Sequence, residues 1–245
     1  LMRLNFGVFA VHLVQMAMFL MVPLALVERV GMPVSTHWKI YLPVVLASFV
    51  IMVPAIIWSE RKARNKTLLL SAILALIASQ LLFLVSGDTL ATIAGGLFVF
   101  FTAFNLLEAS LPSLVSRVAP PSAKGAALGA FNTAQAVGAA LGSAVGGAIA
   151  LRFGAHGVFV FCTLLAVVWW LWARSMRAPP VVALREYVVG EHVDLDRLRA
   201  QLVGLPGVRE ARVEVERRMA YIKVNLELWD EEGVRRLLDT PVTAA

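Results

Sequence analysis

Residues 48–76 read SFVIMVPAIIWSERKARNKTLLLSAILAL, and they predict the fold of the first part of the chain. The segment from Glu60 to Lys66 carries four cations and one carboxylate, while the residues on both sides are almost entirely apolar. A hydrocarbon core of about 30 Å is crossed by roughly 20 helical residues at 1.5 Å each. The stretch therefore predicts two membrane-spanning helices joined by a short, strongly basic turn.

The whole chain has the composition of a membrane protein. It has 245 residues, of which 59% are hydrophobic, and its mean hydropathy is +0.78. Helices are expected because lipid offers no partner for a bare backbone N–H or C=O group. Six spans are predicted, over Phe6–Val27, Ile40–Trp58, Leu68–Val85, Leu90–Leu114, Gly125–Leu151 and Val158–Ala173.

Charge divides the chain into two parts. Up to Pro180 there are twelve Lys and Arg residues against four Asp and Glu residues, a net charge of +8. The remainder carries ten cations and twelve anions, a net charge of −2. The high isoelectric point thus belongs to the membrane part, where it indicates topology and lipid contact rather than nucleic-acid binding.

The cations gather at alternate connections between the spans. One side carries Arg3, Arg61, Lys62, Arg64, Lys66, Arg117, Lys124, Arg174 and Arg177, and the other only Arg29, Lys39 and Arg152. Because positive loops resist translocation, the richer side is predicted to be cytoplasmic. Both ends of the chain are then cytoplasmic as well.

Three spans each carry a pair of polar residues spaced i, i+3, which places each pair on one helical face. The pairs are His12 with Gln15, Asn105 with Glu108, and Asn132 with Gln135. One interpretation is hydrogen bonding that holds the helices together. The other is a shared polar cavity, since costly polar groups in a membrane usually face the bundle interior or water. Three such faces in one bundle favour the cavity.

Glu108 is the acid that lies well inside a span, about nine residues or ~13 Å from Arg117. Intramembrane acids are commonly functional, so Glu108 is a candidate proton carrier or contact for a substrate cation. The alternative is a fixed hydrogen-bonded pair with Asn105, one turn away. His12 is either a hydrogen-bonded polar group or a group that responds to pH.

The fifth span carries a glycine stripe formed by Gly138, Gly142 and Gly146. Glycine at a spacing of four residues predicts a flat helix surface that another helix approaches closely. Such a smooth surface would also let helices slide during a conformational change.

A change of pattern after the prolines at 179 and 180 predicts a second domain. The predicted parts are a membrane part over 1–177, a linker over 178–183 and a small domain over 184–245. Alternating apolar residues predict strands near 187–189, 211–215 and 220–226, and Asp194 and Asp230 are positioned to cap two helices. The order β-α-β-β-α predicts a ferredoxin-like α+β domain, with a weak fourth strand within 240–245.

Six spans with both ends in the cytoplasm resemble the carboxyl-terminal half of a major facilitator superfamily transporter. Residues 56–65 resemble the loop signature of that superfamily, glycine-x-x-x-aspartate-arginine-x-glycine-arginine-arginine. Glu60 stands at the aspartate, Arg61 and Arg64 at arginines, and Ala63 at the second glycine. Ile56 and Asn65 depart from it. The resemblance implies that Glu60, Arg61 and Arg64 act as a cytoplasmic latch for one access state, besides marking topology.

The stretches FNLLEASLPSLVS (104–116) and LPGVREARVEVERRMAYIKVN (205–225) resemble bacterial inner-membrane members with a ferredoxin-like tail on the cytoplasmic side. The resemblance implies a secondary transporter, most simply a proton-driven efflux carrier, in which a central cavity opens to either side in turn. It also implies a preceding six-helix half, a small-molecule substrate, protons as coupling ions, no cofactor, and a tail that regulates or docks a cytoplasmic ligand or protein.

Enzymatic chemistry is not indicated. The sequence holds no glycine-rich phosphate loop, zinc-ligand spacing or nucleophile–base arrangement, and Cys162 is its one cysteine. The tail order also matches heavy-metal-binding domains, but its first loop holds His192 and no cysteine, so no metal is expected. Two other hypotheses stay open: a membrane-anchored sensor or adaptor whose tail binds a partner, and a six-span protein complete as a homodimer.

Overall fold

A computed structural model describes residues 1–86, 89–120, 123–176, 182–190, 193–215, 218–225 and 228–239. The chain divides into two compact units, one of long helices and one of strands and short helices. The elements are α1 (Met2–Glu28), α2 (Trp38–Arg61), α3 (Asn65–Ser86), α4 (Leu90–Val118), α5 (Lys124–Arg174), β1 (Val182–Val188), α6 (Leu195–Val203), β2 (Val208–Glu214), β3 (Met219–Asn225) and α7 (Glu231–Asp239).

The five long helices, α1 to α5, are each long and apolar enough to cross a membrane. Their ends coincide with the ends of the predicted spans or lie a few residues beyond them. A short 3-10 turn over Val34–Thr36 joins α1 to α2. The expected helical bundle followed by a small α+β unit is confirmed.

Helix α5 contains the fifth and sixth predicted spans. Its 51 residues would be about 77 Å long if straight, far more than one crossing requires. Gly154 has φ 65° and ψ −167°, a conformation essentially restricted to glycine, and it breaks the helix. On one side of the break Gly138 meets the backbone of Phe9, and on the other Trp169 covers Gly7. The two arms therefore fold back along α1 as two spans.

Helix α1 lies at the centre of the bundle. More than half of its most apolar window is buried inside the protein, against about a tenth for α2. Its side chains contribute to an apolar core shared with α3, α4 and both arms of α5. The rings of Phe83 and Phe159 stack at 5.1 Å, and Phe83 also covers Gly96. Packing in this core brings one side of α1 against α4 and α5, and polar residues of all three helices lie at that junction.

The second unit is a three-stranded antiparallel sheet in the order β1-β3-β2, with α6 and α7 on one face. Its core is formed by Val189, Leu198, Leu202, Ala211, Ala220, Ile222, Val224, Val234 and Leu238. The backbone N–H of Arg197 donates to Asp194 and that of Gly233 donates to Asp230, so both aspartates cap helices. Strand β1 is longer than expected because its first residues pair with the end of β3.

Several predicted features lie outside the described residues. They are the prolines of the linker at 179 and 180, the loop residue His192, and the fourth strand within 240–245. The ferredoxin-like assignment, which needs that strand, stays a prediction.

Candidate functional site

A polar cluster lies where α1, α4 and α5 meet, and His12 is its centre. The His12 side chain is buried, and its Nδ1 lies 3.0 Å from the backbone oxygen of Val8, one turn earlier in α1. A carbonyl oxygen only accepts, so Nδ1 carries the hydrogen. In the neutral imidazole, Nε2 is then an acceptor directed away from its own helix.

Nε2 of His12 contacts both neighbouring helices. The amide nitrogen of Gln135, on α5, lies 2.9 Å from it and can only donate, which completes a consistent neutral tautomer. Oε1 of Glu108, on α4, lies 3.6 Å from the same nitrogen. That carboxylate oxygen is buried and has no hydrogen-bond partner among the described residues. The cluster therefore joins one basic and one acidic group across three helices.

Asn105 does not pair with Glu108, although the two are one turn apart on α4. Its amide nitrogen instead donates to the hydroxyl of Ser48, on α2, at 2.8 Å, and that hydroxyl donates to the backbone oxygen of Val45 at 2.6 Å. The alternative of a fixed Asn105–Glu108 pair is therefore wrong, because the neighbouring helix offers Asn105 an uncharged partner.

The other two predicted cavity residues stand apart from the cluster. Gln15 is half-buried on α1, and Asn132 is exposed on α5. Within the described parts of the chain, no hydrogen bond joins either side chain to His12, Glu108 or Gln135. Their contribution to a cavity remains a prediction.

Aromatic rings line one side of the cluster. The ring of Phe104 meets His12 edge-on at 5.7 Å and stacks on Phe100 at the same centroid distance. Phe19 and Phe101 continue this aromatic packing toward Tyr41 on α2. The polar groups thus lie beside an apolar wall, where the low local dielectric constant strengthens their mutual electrostatic interactions.

The glycine stripe lies against the backbone of α1. A Cβ on Gly142 would lie 2.5 Å from the carbonyl oxygen of Leu13, and one on Gly146 would lie 2.8 Å from Cα of Ala17. Gly138 meets the carbonyl group of Phe9 in the same way. At the stripe, α5 therefore meets α1 through backbone, whereas the other arm of α5 meets α1 through side chains, since Trp169 covers Gly7 and Trp172 meets Phe6 edge-on.

The basic turn is joined to α4 by an ion pair. Nη2 of Arg117 donates to both carboxylate oxygens of Glu60, at 2.6 and 2.7 Å. The side chains are 22% and 44% exposed, so solvent screens the pair and its contribution is about 0–1 kcal/mol. It nevertheless fixes the end of α2 to the end of α4.

The remaining residues of the turn have other surroundings. The guanidinium of Arg64 lies over the ring of Trp58 at 5.6 Å, as does the Lys62 ammonium at 5.8 Å, while Arg61 is exposed. Ala63 has φ 53°, a left-handed conformation that favours glycine. The loop signature carries glycine at this position, and here alanine adopts a conformation that favours glycine.

Sequence reasoning missed Ser48 and the pairing of Glu60 with Arg117. A serine within an apolar span is a weak but readable signal. The Glu60–Arg117 pair joins residues 57 apart in the chain, so only the packing of α2 on α4 could reveal it. Within the described residues, no group of three or more His, Cys, Asp and Glu side chains could hold a metal ion.

Comparison with known proteins gives a family match over most of the chain. Residues 4–216 match the model described as Major Facilitator Superfamily. The chain is 34% identical over 241 residues to the inner membrane transport protein YajR of Escherichia coli (strain K12), covering 96% of this chain and 53% of that protein.

Two transporters of Buchnera aphidicola are also similar. One, from subsp. Acyrthosiphon pisum (strain APS), is 31% identical over 56% of this chain and 35% of its own length. The other, from subsp. Baizongia pistaciae (strain Bp), is 27% identical over 70% and 44%. Both are named only as uncharacterized transporters. The chain spans about half the length, or less, of these curated relatives.

Proposed function

This chain belongs to the major facilitator superfamily, and from that premise we propose that it forms half of a proton-driven carrier that exports a small molecule. In this proposal a second six-helix half completes the central cavity, and the two halves open it to either face of the inner membrane in turn. The small-molecule substrate, the proton as coupling ion and the outward direction of transport are all parts of the proposal.

The cluster of Glu108 and His12 carries the proposal. A carboxylate in a membrane span is costly, and such residues usually mark ion or proton pathways. The Glu108 side chain is 32% exposed, while one of its oxygens is buried and faces His12 at 3.6 Å. The Glu108 side chain is therefore partly exposed and still lies beside a basic partner.

This arrangement supports exchange of a proton for a substrate. A proton on the Glu108–His12 pair neutralises the carboxylate and removes its attraction for a cationic or polar substrate. Loss of the proton restores that attraction, so proton and substrate compete for one group. Competition of this kind couples inward proton flow to outward substrate flow.

In the proposal the Glu60–Arg117 pair acts as the latch on the cytoplasmic side. Its 0–1 kcal/mol is small, but two access states of similar energy are shifted by small differences. Arg61 and Arg64 contribute positive charge that fixes topology, and Arg64 also packs its guanidinium on Trp58.

The small domain is proposed to lie in the cytoplasm as a regulatory or docking module. The face of its sheet opposite α6 and α7 is open and carries both charges and an aromatic ring. The residues around the open cleft are Glu210, Arg212, Glu214, Tyr221 and Lys223. A mixed surface of this kind suits a polar ligand or protein partner.

The decisive experiment measures flux in the full-length protein. Glu108→Gln keeps the size of the side chain and removes its charge, so proton-driven flux in reconstituted vesicles should fall at least about tenfold. Glu28→Gln is the matched control, because Glu28 is an exposed acid at the end of α1. Undiminished flux in Glu108→Gln would remove this residue from the mechanism. Absence of any flux, with a tail that binds a cytoplasmic partner, would favour the sensor or adaptor.

A further inference from the structure

With the Gln135 amide oriented as in the structure, its bond to His12 requires neutral His12. Nδ1 of His12 already donates to Val8, and the Gln135 amide nitrogen donates to Nε2. When Nε2 takes a proton from the cavity, two donors face each other across 2.9 Å and the bond is lost. The new N–H has an acceptor in Oε1 of Glu108, 3.6 Å away and without a hydrogen bond among the described residues.

We infer that Gln135 is a positioning residue that makes the contact between α1 and α5 depend on the proton carried by His12. Neutral His12 holds α5 through Gln135, and protonated His12 turns to Glu108 on α4. This inference rests on the proposed function, since it names how the proton of that site would move helices.

The surroundings of the bond fit this exchange of partners. Gln135 precedes Gly138 by one turn, and from there the glycine stripe meets the α1 backbone without interlocking side chains. A small separation of α5 from α1 at the stripe therefore requires no side chain to leave a pocket.

The charged groups around His12 are few. Within the described residues, α4 presents Glu108 and the ring of Phe104, and α5 presents the uncharged Gln135. From α3, the uncharged Gln80 reaches α1 at Met18, nearly two turns away. Among these described neighbours, Glu108 is thus the acidic group that faces His12.

The test follows the α1–α5 distance in the full-length protein in nanodiscs. Spin labels at Leu20 and Val137, both exposed, report it in a background without other reactive cysteines. The distances are compared at about pH 9 and about pH 5. The distance should be longer at low pH by about 1–2 Å, the usual size of helix shifts.

Two substitutions separate positioning from packing. Gln135→Met keeps the volume but cannot donate, so the distance should be the same at both pH values. Gln135→Glu offers an acceptor to protonated His12, so the pH dependence should reverse. Thr133→Val, at an exposed residue whose hydroxyl donates to Gly129 of its own helix, is the control and should behave as the unchanged protein.

A rotation of the Gln135 amide that presents its oxygen to protonated His12 would keep the helices joined. The inference is therefore overturned if the unchanged protein shows no pH-dependent distance, or if either Gln135 variant keeps the original change. Flux measured on the same samples distinguishes the two ideas. Missing flux with an intact distance change contradicts the carrier, while normal flux without a distance change contradicts only the role of Gln135.

Discussion

Substitution of Gly142 tests how closely α5 lies against α1. In Gly142→Ala the new Cβ would lie 2.5 Å from the carbonyl oxygen of Leu13, 2.8 Å from its Cα and 3.0 Å from its carbonyl carbon. All three are backbone atoms, so no side-chain rotation relieves the overlap. Ordinary contacts begin near 3.5 Å, and the two helices must therefore separate by roughly 1 Å.

The expected cost is that of overpacking a close contact, about 1–3 kcal/mol. Gly147→Ala is a matched control on the same helix, because a Cβ at Gly147 would meet nothing within 4 Å. Both substitutions gain the same increment of helix propensity, about 0.5–1 kcal/mol. The difference between the two variants therefore isolates the steric term.

The assay is reversible unfolding of the full-length protein in mixed micelles, with the free energy of unfolding compared between the two variants. Gly142→Ala should be less stable than Gly147→Ala by about 1–3 kcal/mol. Equal stabilities, within about 0.5 kcal/mol, would show that α1 and α5 do not meet backbone to backbone at this position.

Two further predictions concern the basic turn. Ala63→Gly should raise the free energy of unfolding by about 0.5–1 kcal/mol, because glycine relieves the left-handed strain of alanine by more than it costs in chain entropy. A free energy of unfolding below that of the unchanged protein would contradict the φ of 53° at this residue. Arg117→Gln should change the ratio of inward-open to outward-open protein by up to about fivefold in spin-label measurements, because it breaks the pair with Glu60. Arg61→Gln removes an exposed charge from the same turn and should leave the ratio unchanged. Equal effects of the two substitutions would show that the ratio depends on positive charge in general and not on the Glu60–Arg117 pair.

The fold class followed from the sequence because the membrane imposes it. Apolar runs of one span's length and cations at alternate connections require a helical bundle with a fixed topology. The resemblance to a carboxyl-terminal half with a small tail was likewise confirmed. The spacing of apolar residues was clear enough to place the helices and strands of the tail. Leu198 belongs to a helical pattern and Ile222 to an alternating strand pattern, and both side chains are buried.

The partners within the bundle did not follow in the same way. Local spacing left open that Asn105 would pair with Glu108, and the structure joins Asn105 to Ser48 on another helix. Spacing along a helix indicates which face a side chain occupies, but not which residue of a neighbouring helix stands opposite. That choice depends on helix rotation and axial position, which are set by packing over the whole length of both helices.

The sequence by itself determined that this chain crosses a membrane and at which connections between spans its basic residues gather. It also determined that the predicted spans bear one acid and several amides. Only the tertiary structure decided that His12, Glu108 and Gln135 meet and that Glu60 reaches Arg117. The physical reason is that hydropathy and charge act residue by residue along the chain. Whether a hydrogen bond forms between two helices depends on differences of a few tenths of an ångström in the donor–acceptor distance. The close approach of α5 to α1 at the glycines helps to fix these distances.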